Sequence, residues 1–190
     1  LETLSIVTAA VILSITIGFP LGVLIAMSKR AENIIRPILD LMQTIPAFVY
    51  LVPAVILFST GKTPALMATT IYGVVPMIRM TSHGITHVDP EVVEAARAFG
   101  STTLQGLIKV QIPQALPTIM TGINQTIMMA MSMVVTCALI GAGGLGLEIL
   151  LATNRTEMGK ALLPGISVVI VAIILDRLTQ GLIGKREAGE

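Results

Sequence analysis

The stretch GAGGLG at residues 141–146 has the spacing of a loop that binds a dinucleotide. In the Gly-x-Gly-x-x-Gly pattern, backbone N–H groups hold a pyrophosphate at the N-terminus of a helix. That chemistry requires a preceding strand and an acidic residue about 20 positions later. Here a long apolar run precedes the glycines, and no Asp or Glu lies between Glu157 and Asp176. We therefore predict a turn at the outer end of a membrane helix, formed by Gly141, Gly143, Gly144 and Gly146. The alternatives are a moving element at that end and a contact with another protein.

A second candidate for phosphate chemistry is GKT at residues 61–63. A P-loop needs a further glycine five positions before Gly61, and Ile56 stands there. His83 and His87 are spaced to share one helical face, but no third histidine or suitably placed carboxylate supports a metal site. We predict no catalytic residue and no metal or cofactor in this chain.

Composition indicates the environment of the elements that carry these residues. Of the 190 residues, 54% are hydrophobic and 12% are charged, whereas soluble domains carry about 25% charged residues. The chain is therefore predicted to lie in a lipid bilayer, with membrane lipid as a partner. Its net charge of +1 gives no indication of a nucleic-acid partner, and its single cysteine excludes an internal disulfide.

Helices of about 20 apolar residues are needed to cross the hydrocarbon of a membrane. We predict an all-α polytopic membrane protein, with residues 1–190 as one transmembrane domain and a core of five transmembrane helices. Arg79 is expected to extend the third of these by reaching the headgroups. The predicted spans are residues 3–27, 41–61, 63–78, 117–140 and 161–175.

The positions of basic residues predict the orientation in the membrane. With the N-terminus outside, nine of the twelve basic residues lie in the cytoplasm and three lie outside. This places the polar loop of about residues 79–116 in the cytoplasm. The nine are Lys29, Arg30, Arg36, Arg79, Arg97, Lys109, Arg177, Lys185 and Arg186.

The cytoplasmic loop has clear signals for a short helix. Asp89 is a suitable N-cap, Pro90 suits the first helical position, and Gly100 can close the helix in a left-handed conformation. This predicts a helix that ends at Phe99 and exposes small residues and one aromatic ring. Such a surface is suited to docking against another protein.

A second short helix is predicted after this one. Thr102 and Gln105 have the spacing of a capping box, and we expect Pro113 to stop the helix.

The same loop resembles the EAA motif of membrane subunits of ATP-binding-cassette (ABC) importers, which are MetI-like permeases. Glu94-Ala95-Ala96 is followed after three residues by Gly100, and after nine more by the sequence VQIP. The resemblance implies a coupling helix that docks onto a separate ATPase subunit, which binds ATP and Mg. The implied docking residues are Glu91, Glu94, Ala95, Ala96, Arg97, Phe99 and Gly100.

Three further segments are similar to permeases for glycine betaine and related osmoprotectants: KVQIPQALPTIMTGINQTIMMAMSMVV, IGAGGLG and ILDRLTQ. The resemblance implies import of a quaternary ammonium solute across a prokaryotic inner or plasma membrane. It also implies a second permease copy as a homodimer, a substrate-binding protein or fused binding domain, and N-terminal segments upstream of Leu1. The alternatives are a permease for another solute, such as methionine, and an ion-coupled secondary carrier.

One stripe of the fourth predicted helix is a candidate translocation path, and close helix packing is the alternative. Its members recur in steps of three and four, beginning with Gly122; the path candidates are Gln125, Met129, Ser132 and Thr136. Asp40, Asp176 and Arg177 are expected near the cytoplasmic boundary as snorkelling residues or structural ion pairs, with a role in transport as the alternative. Aromatic residues are few and scattered in the sequence, so we expect solute selectivity to reside outside this chain.

Overall fold

The computed structural model describes the backbone of residues 2–187 and the side chains of residues 2–181. This part of the chain is helical and has no strand, which confirms the all-α fold class. Short 3-10 turns lie at Ala47–Tyr50 and Cys137–Ile140, and a π turn lies at Leu107–Gln111. The α-helices are α1 (Glu2–Met27), α2 (Lys29–Thr44), α3 (Leu51–Phe58), α4 (Lys62–Thr86), α5 (Pro90–Ala98), α6 (Thr103–Gly106), α7 (Ile112–Thr136), α8 (Gly144–Asn154) and α9 (Met158–Glu187).

Helices α1 and α4 pack side by side and run in the same direction. The buried Ser14 Oγ donates to the carbonyl of Thr70 at 3.1 Å, and further along both helices Gly22 lies against Thr81. A Cβ built on Gly22 would lie 2.5 Å from the Cβ of Thr81. Small residues thus let the two backbones approach closely, as in many membrane helix pairs.

Helix α7 packs against α4 in the opposite direction. The buried Thr126 Oγ1 donates to the carbonyl of Gly73 at 3.1 Å. At the other end of α4, a Cβ on Gly84 would lie 3.2 Å from the Cβ of Ala115. We refer to α1, α4 and α7 as the central core, because α4 is enclosed between the other two.

Because α1 and α4 are parallel, the chain between them must return across the bundle. It returns through α2 and α3, whose axes differ by 110°. Ile45 leaves the helical region with φ −75° and ψ 125°, as expected for a residue before proline, and Pro46 begins the bend. The predicted span 41–61 is therefore broken by a bend and is not one continuous helix.

Helix α4 is longer than predicted. The expected span 63–78 is extended to Thr86, and Arg79 does not mark its end. The buried Thr81 and Ile85 continue the packing surface beyond Arg79. The first residues of the predicted polar loop are therefore helical.

The segment from the end of that loop to the membrane helix is also more continuous than predicted. Residues Thr103–Ile140 form a single helical stretch of 38 residues. The predictions that Pro113 stops a helix and that a new helix starts near Pro117 are both wrong. The π turn widens the helix just before Pro113, and the helix continues past this proline although the proline has no N–H to donate.

Helix α8 was not predicted, because its residues were assigned to a loop between two spans. Within the described residues, three helices are long and apolar enough to cross a membrane, or four if the bent pair α2–α3 is one span. Helix α4 has 25 residues but is less apolar, so the count of five stays a prediction. The three helical stretches are Glu2–Met27, Thr103–Ile140 and Met158–Gly181.

Candidate functional site

Helix α5 is defined by its own caps. The side chain of Asp89 accepts a hydrogen bond from Glu91 N at 2.9 Å, and Pro90 occupies the first turn. Gly100 has φ +84°, and the N–H of Ser101 donates to the carbonyl of Ala96 at 3.1 Å. These bonds form the left-handed C-terminal cap that was predicted. The helix ends at Ala98, one residue earlier than expected.

The surface of α5 is accessible. None of its residues is buried, and the adjacent Phe99 is 93% exposed. An exposed aromatic ring at a helix end is a typical anchor for a protein partner. Of the residues predicted to dock, Ala96 is half-buried, and the exposed ones are Glu91, Glu94, Ala95, Arg97, Phe99 and Gly100.

Behind α5, the chain turns directly into the long helix that includes α7. Thr102 Oγ1 accepts from Gln105 N at 3.3 Å, and Gln105 Oε1 accepts from Thr102 N at 2.9 Å. The predicted capping box is therefore confirmed, and it starts α6. Val93 of α5 packs onto an apolar cluster that includes Leu107 and Ala115. Helix α5 is thus connected both to this cluster, through Val93, and to the long helix, through the capping box.

The predicted stripe on α7 divides into two parts. Gly122 is buried against α4, where a Cβ would lie 2.7 Å from the Cβ of Met80. The path candidates lie farther from α4: Gln125 and Ser132 are exposed, and Met129 and Thr136 are half-buried. Ser132 Oγ donates to the carbonyl of Met128 at 3.1 Å, so its hydroxyl is satisfied within the helix. The rest of the chain thus covers this part of the stripe only partly, at Met129 and Thr136.

Charged residues near the far end of α4 form a cross-helix ion pair. Arg79 of α4 pairs with Asp40 of α2. An ion pair was one of the expectations for Asp40, but the sequence did not identify its partner.

The rings of His83 and His87 lie with centroids 3.9 Å apart and are exposed. No three His, Cys, Asp or Glu side chains within the described range come together as a metal site. On α9, Asp176 accepts from Gln180 Nε2 at 2.9 Å.

The glycine stretch follows a helix and a 3-10 turn, not a strand. Gly141, Gly143 and Gly144 have φ of +73°, +82° and +71°. Gly146 lies inside α8, where a Cβ would be 3.1 Å from the Cβ of Ala138, so it is a packing residue and not part of the turn. The strand–turn–helix context of a dinucleotide loop is therefore missing from this part of the structure.

The two tyrosines lie together, although they are far apart in the sequence. The rings of Tyr50 and Tyr72 are tilted with centroids 5.8 Å apart, and the hydroxyl of Tyr50 donates to the carbonyl of Met42. Tyr50 is buried in an apolar cluster with Leu51 and Met133. This pair joins the bent segment to the core. The contact could not be predicted, because the two tyrosines are far apart in the sequence.

Residues 18–186 match the family described as binding-protein-dependent transport system inner membrane component. Among curated relatives, the glycine betaine/proline betaine transport system permease protein ProW of Escherichia coli is 52% identical over 180 residues, which are 95% of this chain and 51% of ProW. The glycine betaine transport system permease protein OpuAB of Bacillus subtilis is 48% identical over 188 residues, 99% of this chain and 67% of OpuAB. The chain thus spans about half the length of ProW.

The fold is similar to that of solved transporter subunits. A chain of the methionine ABC transporter MetNI in an inward-facing conformation aligns with a TM-score of 0.78 at 24% identity, covering 97% of this chain and 90% of that chain. A chain of an amino acid ABC transporter aligns with a TM-score of 0.75 at 21% identity, covering 99% and 90%. The match over residues 18–186 establishes that the chain belongs to the family of binding-protein-dependent transport system inner membrane components.

Proposed function

We propose that the chain is the transmembrane permease part of an ATP-driven ABC importer for a quaternary ammonium osmoprotectant such as glycine betaine. The observation that carries this proposal is α5, a self-capped and exposed helix joined to the 38-residue stretch Thr103–Ile140. The relatives named for glycine betaine transport, at about half identity, support the solute class.

In this proposal, α5 is the coupling helix that docks onto a separate ATPase subunit. Phe99 inserts its exposed ring into the partner, and Ala95 and Ala96 allow close approach of the two backbones. The partner binds ATP and Mg, and its opening and closing displace α5. Because α6 and α7 are helically continuous through the π turn, the displacement reaches the path candidates on α7 without an intervening flexible loop.

The docking role predicts that Phe99→Ala separates the permease from its ATPase. Truncation of an aromatic hot spot costs about 2 kcal/mol or more of binding free energy, so co-purification should fall by at least about tenfold. Phe48→Ala is the matched control, because Phe48 is 51% exposed on the segment before α3. Equal retention of the ATPase by both variants would contradict docking through α5.

We place α5 in the cytoplasm of a prokaryotic cell, with the permease in the inner or plasma membrane. The excess of basic residues on that side supports this orientation. The parallel course of α1 and α4 supports five crossings: α2 and α3 return the chain, α7 returns it again, and α9 follows. Two copies of the permease would face each other around the solute.

The exposed face of α7 is proposed to line the translocation path. Replacing Ser132 by Leu should reduce uptake without lowering membrane abundance, because the larger apolar side chain fills the path. Ser167→Leu is the control, since Ser167 Oγ also donates to the carbonyl four residues earlier, at 2.8 Å, but on α9. Unchanged uptake by Ser132→Leu would exclude this face.

Solute selectivity is assigned mainly to an external binding protein or a fused binding domain. Uptake by the complete complex in proteoliposomes should require ATP and this receptor, and should accept glycine betaine but not methionine. Uptake of methionine would indicate an importer for another solute. Uptake driven by an ion gradient, without any ATPase in the purified complex, would indicate a secondary carrier.

A further inference from the structure

The starts of α1, α4 and α8 meet at the end of the molecule opposite α5. The N–H of Gly61, just before α4, donates to the carbonyl of Ile140 at the end of the long helix, at 3.0 Å. The glycine turn, residues 141–144, follows Ile140 directly and leads into α8. Three regions that are distant in the sequence therefore converge here: the start of α1, the start of α4, and the turn between the long helix and α8.

The glycine turn is shaped around two side chains of α1. A Cβ on Gly143 would lie 2.6 Å from Glu2 Oε2, and a Cβ on Gly144 would lie 2.4 Å from Thr3 Oγ1. The two glycines also have positive φ, so no other residue fits this turn without strain. The two glycines are needed because the carboxylate of Glu2 and the hydroxyl of Thr3 lie where a dinucleotide loop would hold a phosphate.

These side chains cap α8 from a distance. Gly144 N donates to Glu2 Oε2 at 3.1 Å, and Leu145 N donates to Thr3 Oγ1 at 3.0 Å. The first N–H groups of a helix have no partner within the helix, so both bonds satisfy groups that would otherwise need water. A carboxylate at this position is also favoured by the helix dipole. Sequence patterns missed the cap because its donors and acceptors are 142 residues apart.

The same carboxylate also contacts α4. Glu2 Oε1 lies 2.6 Å from Lys62 Nζ, and the two side chains are 50% and 61% exposed. Ion pairs that are open to water break easily. Of the eleven residues of α8, Gly146 and Ala152 are the buried ones, so little apolar surface opposes separation of its first turn from α1.

We propose that Glu2, Thr3 and Lys62 form a latch that holds the starts of α1, α4 and α8 together and that opens in each transport cycle. The latch rests on the proposed function, because alternating access requires the end opposite α5 to open to the outside. The exposed contacts of Glu2 with Lys62 and Gly144 suit such repeated opening, whereas the glycine-packed contacts of the central core do not. Thr3 is 4% exposed, so its bond to Leu145 is the part of the latch that opening uncovers. The start of α8 supplies the two N–H groups, those of Gly144 and Leu145. The carboxylate of Glu2 and the hydroxyl of Thr3 release and rebind them in each cycle.

The latch is tested with a reversible covalent lock. The Cβ that Gly144→Cys would add lies 3.5 Å from the Cβ of Thr3, which falls within the range of about 3.5–4.5 Å for disulfides. Thr3→Cys and Gly144→Cys are combined in a Cys137→Ala background, and uptake of glycine betaine is measured in proteoliposomes of the complete complex. Oxidation should reduce uptake at least about fivefold, the lower limit of common allosteric effects, and reduction of the disulfide should restore it.

The controls separate the latch from the proposed function. If the oxidised, crosslinked protein transports as fast as the reduced protein, the contact between Thr3 and the start of α8 stays closed during transport, and the latch is excluded. If Cys137→Ala alone imports no betaine, the proposed function fails, and the latch fails with it. Each single-cysteine variant should be indifferent to oxidation.

A second variant covers the case in which Gly144→Cys does not fold. Glu2→Ala removes both the cap of α8 and the ion pair, and should raise ATPase activity without solute at least about fivefold, because the closed end is less favoured. Glu157→Ala is the control, since Glu157 pairs with Lys160 only three residues away at 3.0 Å. Unchanged ATPase activity in Glu2→Ala would overturn the latch.

Discussion

In the central core, glycines bring the backbones of α1, α4 and α7 into contact, whereas α5 has no buried residue and takes its shape from its own caps. Gly22 illustrates the first case, because a side chain there would overlap Thr81. Asp89 and Gly100 illustrate the second, since each closes one end of α5 through the local backbone. The core is specified by long-range packing and α5 by local hydrogen bonds.

This difference suits the two roles. A helix that must present its surface to a partner cannot use that surface to pack within its own chain. Such a helix must then be stabilised by its caps and by one apolar contact with the rest of the chain, which here is made by Val93. In the proposed function the core has the opposite requirement, because it has to keep its shape while the partner displaces α5.

The comparison predicts its largest effect on stability at Gly22. Gly22→Ala should destabilise the folded permease by about 1–3 kcal/mol, the usual cost of overpacking. Gly165→Ala is the control, because a Cβ on Gly165 meets no atom within 4 Å. Thermal unfolding in detergent should show a lower Tm for Gly22→Ala alone; equal Tm values would mean that α1 and α4 do not depend on this contact.

A smaller and local effect is expected at the start of α6. Thr102→Ala removes the acceptor of the capping box, which contributes about 1 kcal/mol. Amide exchange at Gln105 should accelerate about fivefold while the global Tm stays the same, because caps act on local opening. Thr121→Ala, which removes a hydroxyl bonded within α7, is the control. A global loss of stability would show that the loop and the core are one cooperative unit.

The smallest effect is expected for a single polar bond in the core. Thr126→Val removes the hydrogen bond to Gly73 but keeps the volume of the side chain. Interhelical hydrogen bonds in membranes contribute about 0.6 kcal/mol on average, so Tm should fall by much less than in Gly22→Ala. A larger fall than in Gly22→Ala would mean that polar bonds contribute more than close packing to the stability of the central core.

The sequence predicted local features better than tertiary ones. The caps at Asp89, Gly100 and Thr102 follow from residue type and short spacing, and the structure has all three. The continuation of the helix through Pro113 was missed because a π turn compensates for the proline, and no simple pattern marks such a turn. The bend after α2 was missed because proline is tolerated in many membrane helices, so Pro46 alone did not indicate a break.

Contacts between distant residues could not be predicted from spacing. The pairing of Asp40 with Arg79, and of Glu2 with the glycine turn, depends on how α1, α2 and α4 are arranged. The docking residues on α5 and the path candidates on α7 were found as patterns on single helices. Their roles in transport stay predictions.

The central claim is that α5 faces the cytoplasm and binds an ATPase subunit. In a Cys137→Ala background, Phe99→Cys should be labelled by a membrane-impermeant thiol reagent only in inverted vesicles, and should crosslink to the ATPase. Asn154→Cys, at the exposed end of α8, should be labelled only in right-side-out vesicles. Labelling of Phe99→Cys from the outside, or crosslinks that never reach an ATP-hydrolysing partner, would contradict the account.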